Sequence, residues 1–325
     1  MIYPWAKMNV LPKADLLFWH QYEEGVSANG ALYDYSGNGR HVVQASTPPT
    51  LTANVLNGQP AWRFTGSTNP LQWTGSILCK HAFIVCSADE AAFGDYRGLL
   101  SGVGLNEMLV GQIGADQFFD FGATTYRKAD VSYPGSSAKA PMSGAIAVIE
   151  IIYSGGAAMD GVQYGKHKNL PGRNWLGYIF EGIGYGAVKN DFERLKIIQY
   201  LAMRYWLWQR TPSGLDVFPF PANVTRSAAM TRESYASEPY SGDPTFLVRG
   251  DAHRAFTIPA TNRLQAEYLA TEQFHMSHAP ATSFVYRDYR FNPPRDSTCR
   301  VIGDLREQGS AVTGRFNYSF DAIEV

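Results

Sequence analysis

The chain has 325 residues, which at the usual ~100–200 residues per domain suggests two domains. Charged residues make up 18% and aromatics 14%, with 31 glycines, a mixture suited to antiparallel β-structure with many turns. The formal net charge of −1 supplies no global field for nucleic acid or an anionic membrane, so neither is expected as a partner.

The N-terminal stretch MIYPWAKMNVLPKADLLFWHQ lacks a basic region followed by a continuous apolar core. No run elsewhere approaches the ~18 apolar residues of a membrane span, so the expectation is a chain made soluble in the cytoplasm, without membrane insertion. Cys79, Cys86 and Cys299 cannot all pair and show no CxxC spacing. They read as small buried apolar residues of a chain folded in a reducing compartment.

The first feature in chain order is LYDYSGNGRHVVQAS, residues 32–46, where a strand runs into Ser36, Gly37, Asn38 and Gly39. The two glycines lack the Cβ that forbids left-handed backbone and Asn38 tolerates it, so the chain can reverse here at little steric cost. AWRFTG, HAFIVCSA, GLLSGV, FFDFGA and AIAVIEIIYS follow as apolar or alternating runs of strand length, each closed by glycine, serine or proline. Asn190 caps a helix with Glu193 three residues on, and Phe192, Leu195, Ile198, Leu201 and Tyr205 recur at helical spacing. The pattern suggests an antiparallel sandwich closed by one helix.

All nine lysines lie between Lys7 and Lys196, and the last 129 residues carry arginine only. Pro212, Gly214, Pro219 and Pro221 interrupt the chain near this change, which predicts a first domain over 1–212, a linker over 213–221 and a second domain over 222–325. In the second part FLVRGDAHRAFTIPA, SFVYRDYRF and GRFNYSFDAIEV alternate as strands, and TNRLQAEYLATEQFHMSH reads as a capped helix with Leu264, Tyr268 and Leu269 on one face. In the last strand Phe316, Tyr318, Phe320 and Ala322 share a face. A small β-barrel with one helix is the economical solution, and the whole chain reads as mostly β.

The order ADLLFWHQYEEGV, LYDYSGNGRHVVQA, NGQPAWRFTGSTNPLQW and WLGYIFEGIGYGAVKNDFERLKIIQYLAMRYWL resembles the laminin G-like, concanavalin A-like lectin/glucanase fold over residues 13–210. The resemblance implies a jelly-roll sandwich whose SGNG turn is a structural hallmark braced by Asp34; calcium ligation is the other reading of that turn. Glucanases of this fold set carboxylates on alternate positions of one strand, so that acid and nucleophile stand about 5–5.5 Å apart. Here Asp89 and Glu90 are adjacent in sequence and Glu150 stands alone on an apolar strand, so no catalytic residue, metal or cofactor is expected. Trp73, Tyr96, Tyr126 and Tyr133 fall in or near expected loops, where exposed aromatics stack on sugars, although core packing is the common fate of such residues.

PYSGDP, the R-x-x-A-x-F strand, the following helix and the aromatic closing strand resemble the ring-forming domain of phage distal tail and minor tail proteins over residues 222–325. That resemblance implies a structural virion protein of a tail tip or baseplate. Its second domain would pack with copies of itself around the tail tube among baseplate proteins, while a lectin-like domain projects toward host-surface glycan. Arg287, Arg290, Arg295 and Arg300 read either as cations bridging subunits or as a solvated strand face. His275 and His278, three apart, have metal-binding spacing but no nearby carboxylate or cysteine cluster, and read as helix-end or surface residues. A lectin-like domain that merely decorates the baseplate and packs on neighbours, and a bacterial carbohydrate-binding module outside any virion, are the alternatives.

Overall fold

The structure is a computed structural model that describes residues 11–22, 32–44, 48–66, 69–89, 97–103, 107–112, 117–120, 125–128, 131–134, 146–167, 170–211, 213, 215–220, 228–237, 245–278, 282–288, 295–308 and 315–325. It is mostly β, with two helices among these residues. The chain divides into two compact units, Met1–Leu207 and Trp208–Val325.

The first unit contains β1 (Leu16–Gln21), β2 (Tyr33–Asp34), β3 (Val43–Gln44), β4 (Thr50–Leu56), β5 (Gln59–Thr65), β6 (Leu71–Cys86) and β7 (Arg97–Ser101). There follow β8 (Glu107–Gln112), β9 (Gln117–Asp120), β10 (Thr125–Lys128), β11 (Val131–Pro134), β12 (Ala147–Tyr164), β13 (Leu176–Tyr185) and the helix α1 (Asp191–Tyr205). Its main path runs β2-β1-β13-β6-β12-β7-β8-β9, and neighbouring strands are antiparallel.

The central strand β6 shows why the sequence reads as it does. Its second half, His81–Cys86, lies between β12 and β13 and is buried at every residue, because both faces are covered. Ala82, Ile84 and Cys86 enter the main core with Ile149, Ile151 and Phe64. His81 turns the other way, toward the start of α1, whose approach is fixed by a bond from Lys189 N to His81 Nδ1.

Asn190 caps α1 in a capping box with Glu193, as the spacing predicts. Ile197, Ile198, Tyr200, Leu201 and Tyr205 are buried. Phe192 departs from the expected apolar stripe: it is 66% exposed, with Lys196 Nζ 4.4 Å from its ring centroid, because the first helical turn extends past the covered face. Asn57 and Gly58 form the tight reversal between β4 and β5, both with positive φ, and Asn57 Nδ2 donates to the carbonyl of Arg204 at the helix end, 2.8 Å away.

The second unit contains β14 (Gln209–Arg210), β15 (Asp216–Phe218), β16 (Ala228–Ser237), β17 (Thr245–Leu264), α2 (Gln265–His278), β18 (Phe284–Asp288), β19 (Arg295–Val301), β20 (Arg306–Gln308) and β21 (Arg315–Glu324). The order is β14-β15-β18-β19-β21-β17-β16, with β20 beside β21. Among the described strands this sheet is open at β14 and β16, where the sequence suggested a closed barrel. Residues 213–221, expected as a linker, carry β15, which pairs in parallel with β18 and buries Val217 and Phe218. The break between units falls at Leu207 and Trp208. The helix α2 begins only after Leu264, which ends β17, so its buried face is Ala266, Glu267, Ala270, Thr271, Phe274 and His278 rather than the stripe at Leu264, Tyr268 and Leu269.

Candidate functional site

The SGNG turn is organised by one carboxylate. Asp34 Oδ1 accepts from Trp19 N and Ser36 N, both at 3.0 Å, and Oδ2 accepts from Ser36 Oγ and Arg40 N, both at 2.9 Å. Burial pushes the Asp34 carboxyl up, but the hydrogen bonds from Trp19, Ser36 and Arg40 outweigh it and hold it below its ordinary value. Asn38 Nδ2 donates to the carbonyls of Leu16 and Leu17, which ties the turn to β1. Gly37 and Gly39 sit at φ 89° and 68° with open space where a Cβ would be, so backbone conformation alone calls for glycine. Four donors already surround Asp34, and no group of three His, Cys, Asp or Glu suited to a metal ion occurs among the described residues.

Glu150, alone in its stretch of sequence, is not alone in space. Arg194 reaches it with Nε at 2.7 and 2.8 Å and Nη2 at 2.7 Å, Arg127 Nη1 lies at 2.6 Å and His81 Nε2 at 3.0 Å. Because Lys189 N donates to His81 Nδ1, the ring proton sits on Nε2 and points at the carboxylate. Burial pushes the Glu150 carboxyl up, but the bonds from His81 and Arg194 and the charges of Arg194 and Arg127 outweigh it and bring it down to about 2.

The second buried carboxylate of this unit, Glu181, was not singled out by any local pattern. Its Oε1 accepts from Trp19 Nε1 at 2.6 Å and Tyr200 Oη at 2.8 Å, and its Oε2 accepts from Tyr205 Oη at 2.7 Å with Arg204 Nε 3.4 Å away. Arg204 also donates to Gln21 Oε1 and Tyr200 Oη. Glu150 thus holds the first turn of α1 and Glu181 holds its last turns. One further polar residue of the core, His20, donates from Nε2 to the Arg40 carbonyl and so accepts from Tyr164 Oη at Nδ1; burial pushes it down to about 4.

The expected sugar-contacting residues are dispersed. Trp73 lies on β6 rather than in a loop, half-buried against the core with the Arg40 guanidinium 5.4 Å from its ring centroid. Tyr126 and Tyr133 face each other in the register of β10 and β11, although their side chains lie outside the described residues. Tyr96 lies outside them entirely, as does Glu90. Asp89 is held by the fork of Arg63, which also covers the ring of Tyr178.

In the second unit Arg287 spends its fork on Asp296 directly across the β18–β19 pair, at 2.8 and 3.0 Å. Arg300 Nε donates to Ser283 Oγ, Arg295 is described only as a backbone partner of Asp288, and Arg290 lies outside the described residues. His275 and His278 diverge. His275 Nε2 donates to the Gly303 carbonyl, whereas buried His278 donates from Nδ1 to the Phe274 carbonyl and turns Nε2 toward Asp216, 3.4 Å away.

Chemically, this arrangement clamps rather than transforms. A general acid or nucleophile needs an oxygen that substrate can reach, while Glu150 is 2% exposed and Glu181 fully buried, each ringed by donors from the chain itself. No family model matches this chain, and no curated protein matches it in sequence.

Proposed function

We propose that the chain is a structural virion protein of a phage tail tip or baseplate, which binds host-surface glycan through a concanavalin A-like, laminin G-like first domain without cleaving it. Its second domain joins copies of itself around the tail tube. The observation that carries the non-catalytic part of this reading is the use of Glu150 and Glu181: the buried carboxylates of the sheet are consumed in fastening α1. The Asp34-braced turn beside Trp19, followed by a closing helix with a capping box, supports the lectin-like assignment, since these pieces stand in the order of the family the sequence resembles.

One observation favours a second reading, in which the first domain decorates the tail and packs on neighbouring virion proteins. Trp73 is half-buried beneath Arg40, so its ring is not an open platform for a sugar. Cryo-EM of the assembled virion together with a binding assay on host-envelope polysaccharide separates the readings. Density for the chain at the tail tip with polysaccharide binding supports the first, and density without binding supports the second. A virion that lacks the chain contradicts both.

A further inference from the structure

The register of the second unit's sheet leaves one strand pair without support. β16 runs opposite β17 from Thr245 to Phe256, whereas β21 joins β17 only from Ala255 onward. From Thr245 to Arg254, β17 therefore has β16 as its one neighbour among the described strands. The hairpin extends beyond the rest of the sheet as a two-stranded ribbon, roughly 30 Å long at the usual rise per residue. A ribbon of two strands is marginal in water, and a third strand is what makes it persist.

The open side of that ribbon is a regular edge. Between Thr231↔His253 and Glu233↔Arg249 the register shift places the extra residues on β17, so the ten residues of β16 run without a bulge at the end of the sheet. A long regular edge is a template for another strand. The sequence of β16, AAMTRESYAS, carries its only two charges side by side at its centre, Arg232 and Glu233.

We infer that this edge pairs with β16 of a second copy of the chain, antiparallel about a two-fold axis between Arg232 and Glu233. That register sets Arg232 of each copy opposite Glu233 of the partner subunit, twice over by symmetry. Parallel pairing in register would oppose Arg232 to itself and Glu233 to itself, so the adjacent charges select the antiparallel arrangement. Two hairpins become one four-stranded ribbon, which supplies the missing support. The inference does not rest on the tail-tip reading, since the contact would serve any role of the chain.

Sedimentation velocity of the full-length chain across a concentration series tests it. The native chain should show a monomer–dimer equilibrium that weakens with salt. Arg232→Glu, which sets two like-charge pairs across the axis, should weaken it about tenfold or more, and Arg232→Gln less. The double variant Arg232→Glu/Glu233→Arg restores opposite charges and should recover association. Because Glu233 also stands opposite Arg249, hydrogen exchange of the hairpin reports whether each variant keeps the ribbon. A chain monomeric at every concentration would overturn the inference. So would Arg232→Glu dimerising as tightly as the native chain, or a double variant no tighter than Arg232→Glu with the hairpin still protected.

Discussion

Glu150 in the first unit and Glu267 in the second are both buried, yet they are driven in opposite directions. Burial pushes each carboxyl up; around Glu150 the donors of His81 and Arg194 and the charge of Arg127 outweigh it, and the group falls to about 2. Glu267 has Tyr318 Oη at 2.9 Å and Arg263 at 3.3 Å, which oppose its burial without overcoming it, so the carboxyl stays raised. A buried carboxylate remains charged when two guanidinium groups and an imidazole N–H converge on it, and one phenol with one arginine at the edge of contact is not enough. The difference separates a clamp that needs its charge from a buried group that tolerates losing it.

The largest expected effect comes from emptying a clamp. Glu181→Ala leaves Trp19 Nε1, two phenols and Arg204 without their acceptor, and should destabilise the first unit by about 3–5 kcal/mol in urea unfolding. If Glu181 were held ready for chemistry rather than for the helix, the loss would be small and α1 would keep its hydrogen-exchange protection.

The second test uses pH. Glu150 falls from 4.5 to about 2 on folding, so its stabilisation, about 3 kcal/mol, is present above the unfolded value and lost as pH drops from 4.5 toward 2. His20, lowered from 6.5 to about 4, adds a loss over that higher window because the unfolded chain takes up the proton first. Glu267 has the opposite sign: its folded form holds the proton more tightly, so its contribution is present at low pH and disappears as pH rises through its raised value. Hydrogen exchange followed by unit should therefore show the first unit weakening on acidification and the Glu267 site being relieved. Parallel loss at both sites would break the comparison.

Asp34 sharpens it further, because it is a carboxylate held by backbone and hydroxyl donors without a salt bridge. Asp34→Ala should cost about 2–3 kcal/mol, chiefly through the buried Trp19 N–H left unpaired, with calcium making no difference to the melting temperature. Smallest is the backbone term: Gly37→Val or Gly39→Val should cost about 1–3 kcal/mol from positive φ alone, since no atom occupies the Cβ position. Unchanged melting for both variants would show that the turn relaxes freely.

What could be read from the sequence follows sequence distance. The SGNG turn, the Asn190–Glu193 capping box and the runs that became β5, β6, β7, β12 and β21 are local signals, set by residues within a few positions of one another. Glu181 was silent because its partner Trp19 lies 162 residues away, and Glu150 looked solitary because Arg194 is 44 residues downstream. β15 was hidden among prolines and glycine, since its strand character comes from a parallel partner in β18 rather than from its own pattern. Phe192 misled because helical spacing identifies a stripe but not where the covering surface stops.

A double-mutant cycle on Glu150 and Arg194, read by urea unfolding, tests most directly whether the sheet's carboxylates fasten the closing helix. Glu150→Ala and Arg194→Ala should each destabilise the first unit by about 3 kcal/mol, and the double variant should cost clearly less than the sum, with a coupling of about 2 kcal/mol. Additive losses would contradict the clamp.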